Sequence, residues 1–75
     1  MAESRYDIGE GVYVQAGGDC GPTWVTVRGI MTYDRVARLV DFRETWPGWD
    51  CDDGFATFEQ ADACAKAFAE KERDG

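Results

Sequence analysis

Thr57-Phe58-Glu59-Gln60-Ala61-Asp62-Ala63-Cys64-Ala65-Lys66-Ala67-Phe68-Ala69-Glu70-Lys71 is the segment around which the rest of the chain is organised. It carries a start signal, a sustained helical period and a stop. Thr57 predicts an N-cap, because its hydroxyl accepts from the free N–H groups of a first turn, and Gln60 completes a capping box. Phe58, Ala61, Cys64, Ala65 and Phe68 recur at three- and four-residue steps, which is one buried helical stripe. Glu59, Asp62, Lys66 and Glu70 fall off the stripe and should face water, with Asp62 placed to pair with Lys66. Lys71 and Arg73 close the helix where its macrodipole favours cations. A stripe this narrow is not stable alone in about 15 residues, so the helix needs a sheet to lie against.

The sheet is sought upstream. Val12-Tyr13-Val14-Gln15-Ala16 alternates as a first strand, and Gly17-Gly18-Asp19-Cys20-Gly21-Pro22 is a breaker cluster expected to be a hairpin connection. Thr23-Trp24-Val25-Thr26-Val27-Arg28 is rich in β-branched and aromatic types and alternates cleanly. Val12, Val14, Val25 and Val27 then share the core face, leaving Trp24, Thr26 and Arg28, with Tyr13, on the other. Gly29 marks a bulge or an end, with Ile30 to Tyr33 continuing the strand irregularly. The segment from Asp34 to Phe42 reads two ways. As a helix, Val36, Ala37 and Val40 cluster; as a strand, Val36, Val40 and Phe42 share a face. The alternation of Leu39-Val40-Asp41-Phe42-Arg43 favours a turn at Asp34-Arg35 and a strand over Arg38 to Glu44. Trp46 to Gly54 is expected to be irregular, with turn signals at Pro47-Gly48 and Asp52-Asp53-Gly54. Phe55-Ala56 is a candidate short edge strand, and Met1 to Gly9 reads as a loosely ordered lead-in. The expectation is one α+β domain over residues 1–75: a small antiparallel sheet of three strands, or four with Phe55-Ala56, with one C-terminal helix on one face (β-β-β-α).

Fifteen acids against eight bases give a formal charge of −7 over 75 residues. Such a surface repels nucleic-acid phosphate and acidic lipid and favours basic partners. The charge is uneven: residues 23–40 hold three bases and one acid, residues 41–54 five acids and one base. No apolar run approaches the roughly 18 residues of a membrane span, and the first residues lack a basic-then-apolar leader, so the cytoplasm is the expected location. Cys20, Cys51 and Cys64 are read as reduced thiols, with Cys20–Cys51 the one pairing left open.

Residue types exclude most catalytic devices. There is no histidine or asparagine, and the only serine is Ser4, so Ser–His–Asp and Cys–His arrangements are ruled out. Lys66 and Lys71 sit on the exposed part of the helix, a poor place for a desolvated amine. Asp50, Asp52 and Asp53 supply paired carboxylates, but a chain this short offers little room for a cleft around them. Asp50-Cys51-Asp52-Asp53-Gly54 fails as a calcium loop, since counting from Asp50 the glycine and glutamate positions are Phe55 and Ala61. Scattered cysteines give no zinc-ligand spacing. A non-enzyme without cofactor or metal is expected.

What remains is an interaction surface. Trp46 and Trp49 beside Asp50, Asp52 and Asp53, just after Glu44, form an anchor-and-rim combination suited to a basic protein surface. The competing reading folds at least one of these tryptophans back to seal the core. A second surface is the uncovered sheet face with Trp24, suited to docking or to a homodimer. In size, charge and compactness the whole chain resembles the small acidic proteins of phages and mobile elements, including anti-CRISPR inhibitors. The resemblance implies a non-catalytic inhibitor in a bacterial cytoplasm that blocks a basic nucleic-acid-binding surface or a subunit interface of a larger protein. The acidic surface argues against direct contact with nucleic acid or membrane. The alternative is an assembly module working through the aromatic sheet face.

Overall fold

The computed structural model describes residues 2–18, 23–30 and 32–74. Strands β1 (Ala2–Gly9), β2 (Val12–Gly18) and β3 (Trp24–Arg28) form an antiparallel sheet in the order β1-β2-β3. Helix α1 (Tyr33–Glu44) follows, then a hairpin of two-residue strands β4 (Trp49–Asp50) and β5 (Gly54–Phe55), then helix α2 (Phe58–Asp74). The architecture is α+β, but with two helices and a second small sheet in place of a single β-β-β-α unit.

Alternation divides the sheet as the sequence predicts. Val12, Val14, Ala16, Val25 and Val27 are buried on one face against Ala61, Cys64, Ala65, Phe68 and Ala69 of α2. Four of those five α2 residues are alanine or cysteine, so the helix backbone lies close to the sheet. The capping box forms: the Gln60 N–H donates to Thr57 Oγ1 at 3.2 Å, and the Thr57 N–H to Gln60 Oε1 at 3.3 Å. Asp62 does not simply face water, because its carboxylate accepts from the Tyr6 hydroxyl.

That bond comes from a strand where a loose lead-in was expected. In β1, Tyr6 and Ile8 pack towards the core, while Glu3, Arg5 and Asp7 point to the open face. Register runs from Ala2↔Gly18 to Asp7↔Tyr13 and slips by a bulge before Gly9↔Val12. The outer strand tolerates this polar sequence because only one of its faces must be apolar.

The expected strand over Arg38–Glu44 is α1, and β3 ends at Arg28, with Ile30 in a bend and Tyr33 opening α1; Met31 lies outside the described residues. Thr32 is extended (φ −92°, ψ 158°), and its Oγ1 accepts from the Arg35 N–H at 3.2 Å. Asp34 in the first turn and Arg43 in the last suit the macrodipole. The inward side of α1 is Leu39, fully packed, and Phe42, whose ring centroid lies 5.5 Å from that of Phe68. Between the helices, Glu72 of α2 takes Arg38 Nη2 at 2.8 Å and Arg35 Nε at 3.1 Å.

Chain exit from β3 depends on Gly29. Its φ is +102°, and a Cβ there would stand 2.5 Å from the Gly11 carbonyl oxygen. The backbone of the β1–β2 turn leaves no room for a side chain.

The outer edge of β3 is partly covered. Thr23 exchanges two backbone hydrogen bonds with Phe55, at 3.2 and 2.8 Å. Two residues on, Arg43 Nη1 donates to the Val25 carbonyl at 2.9 Å. Position 20 lies outside the described residues, and with it the Cys20–Cys51 pairing. Among the described residues, no helix is long and apolar enough to cross a membrane.

Candidate functional site

The two loop tryptophans fold back. Trp46 stacks on Phe42 with centroids 5.5 Å apart. Trp49, brought round by the Pro47-Gly48 turn, packs on Phe55 at 5.1 Å and meets Trp24 edge-on at 5.4 Å. Both Trp46 and Trp49 are half-buried against the core. Trp24, Trp49 and Phe55 therefore seal the end of the sheet where β5 joins β3, and the aromatic-anchor part of the expected loop site is taken up internally.

The carboxylate part stays outside. Asp50 Oδ1 accepts from the Asp52 N–H at 2.9 Å and the Asp53 N–H at 3.4 Å, so it shapes the β4–β5 turn. Asp50, Asp52, Asp53 and Glu44 are all exposed, and none pairs with a cation among the described residues. Donor atoms of Asp50, Cys51 and Asp52 come within 4.8 Å of one another, but the Asp50 oxygen already serves the turn and the group is open to water.

Beside this hairpin lies a half-buried cation. Arg43, in the last turn of α1, carries its guanidinium carbon 4.8 Å from the Trp49 ring centre. Its Nε is buried and meets no partner among the described residues. Burial lowers its pKa, opposed by Cys64 and Glu44. Burial also pushes the Cys64 thiol up to about 11, with Arg43 opposing. At neutral pH that thiol is protonated and shielded, which leaves it inert as a nucleophile. On the far side of α1, hydrogen bonds from Arg38 hold the Glu72 carboxyl below its ordinary range, with burial opposing and Arg35 adding to the effect.

The open sheet face is not an aromatic platform. Tyr13 is half-buried under Arg5, whose guanidinium carbon lies 3.7 Å from the ring centre. Gln15, Thr26 and Arg28 fill most of the rest, and Trp24, at 37% exposure, already leans on Trp49. The exposed apolar surface is elsewhere. Ile30 (89% exposed) and Tyr33 (87%) lead onto Val36 and Val40 along the outer side of α1. Reading a turn at Asp34-Arg35 and a strand over Arg38 to Glu44 conceals this surface. The helical clustering of Val36, Ala37 and Val40 was the signal for it, once Leu39 and Phe42 are given the inward side.

No protein-family model, curated protein or solved structure matches the chain.

Proposed function

We propose that this chain is a non-catalytic protein-binding inhibitor, of the anti-CRISPR-like decoy kind, that occupies a basic nucleic-acid-binding surface of a larger protein. The observation that carries the reading is a set of exposed carboxylates with no ion pair among the described residues: Asp50, Asp52 and Asp53 on a tight turn whose base is anchored by Trp49, and Glu44 at the end of α1. Fixed anions on a preorganised turn compete with phosphate for arginine and lysine at low entropic cost. The net charge of −7 adds long-range attraction to such a groove.

The test is affinity capture from bacterial lysate with the tagged chain at low and high salt. A nucleic-acid-binding protein that is captured at low salt, released at high salt and displaced from its nucleic acid by the chain supports the reading. Joint substitution Asp50→Asn, Asp52→Asn and Asp53→Asn should weaken capture about tenfold or more. Capture indifferent to salt and to those changes sinks it.

A second reading, an assembly module working as a homodimer, would use the sheet face around Trp24, which is 37% exposed. Sedimentation of the purified chain over a concentration series decides it.

A further inference from the structure

Two shallow recesses flank one ridge on the outer side of α1. The ridge is Val36 and Val40, one turn apart. One recess, about 280 Å³, lies towards Tyr33, Ala37 and Asp41; the other, about 230 Å³, lies between α1 and β3 over Val27 and Leu39, with Arg43 at its end. A ridge between two grooves is the surface that a crossing helix packs on, its own side chains entering both grooves.

The surroundings select the occupant. Asp34, Asp41 and Glu44 are exposed along the same helix, whereas Arg35 and Arg38 are drawn round to Glu72. The side of the apolar strip away from the sheet therefore carries acids, with Arg43 at the end next to β3. A second copy would set these acids against their equivalents, which disfavours self-pairing. An added strand is disfavoured too, because the outer edge of β3 is occupied at Thr23 by Phe55 and at Val25 by Arg43. A basic amphipathic helix satisfies both features: apolar side chains for the recesses and lysine or arginine for the rim.

We infer that the outer face of α1, centred on Val36 and Val40, docks a basic amphipathic helix of the partner protein. The inference rests on the reading that the chain binds a basic protein, and it names a recognition element separate from the β4–β5 turn.

The probe is a synthetic amphipathic helix of about 14 residues made only of leucine and lysine, titrated into the isotope-labelled full chain and followed by amide chemical shifts. Shifts should gather on residues 33–44 and on Thr26 and Val27. Val36→Ser with Val40→Ser should weaken binding at least about tenfold. Asp34→Asn with Asp41→Asn should flatten its salt dependence, and Asp50→Asn, Asp52→Asn, Asp53→Asn should change affinity less than about twofold. The same spectra report whether each variant is folded. Shifts centred on residues 49–55, a larger loss from the turn variant than from the valine variant, or no binding at millimolar probe would each overturn the inference. Binding at the turn would still leave the decoy reading standing. Binding at α1 without capture of any nucleic-acid-binding protein would do the reverse.

Discussion

Helix α2 buries Ala61, Cys64, Ala65, Phe68 and Ala69 against the sheet, whereas α1 buries only Leu39 to a like degree, leaves Tyr33 in water and keeps Val36 and Val40 more than a third exposed. Each begins with a threonine cap and carries an acid in its first turn and a base in its last. What separates them is the use of the apolar side. One helix completes the core that the three strands begin; the other is held at its edge by one leucine, one phenylalanine contact and three arginines, and keeps apolar surface over. Stability thus rests mainly on one helix and the proposed recognition on the other, and each assignment can be broken by substitution.

The largest effect is expected at Phe68, fully buried beneath the sheet. Phe68→Ala should cost about 3–5 kcal/mol in chemical denaturation, enough to unfold much of a domain this small. Val40→Ala on α1 should cost less than about 1 kcal/mol. Equal costs would mean that α1 is as much part of the core as α2.

Next comes the clamp between the helices. Glu72→Gln should lose about 1–2 kcal/mol at neutral pH, discounted for the exposed Arg38. Its native pKa is depressed, so the contribution is complete above the unfolded value and lost as pH falls through the native one. The wild-type minus variant difference should be flat from about pH 7 to 5 and shrink below about pH 4. A difference that grew on acidification would contradict the clamp.

Smaller still are the caps. Thr57→Ala and Thr32→Ala should each cost about 1 kcal/mol, read from denaturation midpoints. Only Thr32→Ala should also loosen amide protection across residues 33–36 without touching α2. Smallest of all, Val36→Ser and Val40→Ser should each change stability by less than about 1 kcal/mol while removing the probe contact described above.

Legibility followed the same division. The α2 stripe, its capping box and the valine faces of β2 and β3 could be read because each residue's local preference agrees with its tertiary environment. α1 was misread because Leu39 to Arg43 alternates by chance, and because β-branched Val36 and Val40 suit a strand as well as a helix. Its inward side is completed by the arginines that hold Glu72 and Val25, and hydrophobic periodicity does not register those. β1 was missed because a strand with one open face can carry Ser4, Arg5 and Asp7. At the candidate site the acids were legible as exposed, since turn carboxylates have nowhere else to go. The tryptophans were not, because an aromatic residue in a turn serves a partner or its own core equally well until the packing around Phe55 and Phe42 is known.

Gly29 has a consequence for how this chain can vary. Two independent refusals meet there: a backbone angle that side chains rarely adopt, and a carbonyl oxygen standing where a first carbon would go. In a library of single variants, position 29 should be a blank column, while Ile30 beside it accepts nearly anything. Since this joint aims the chain from the sheet into α1, the sequence drift that could retune the outer face of that helix must pass around a residue with no side chain to alter. The exposed surface is free to change its chemistry, but its direction is inherited.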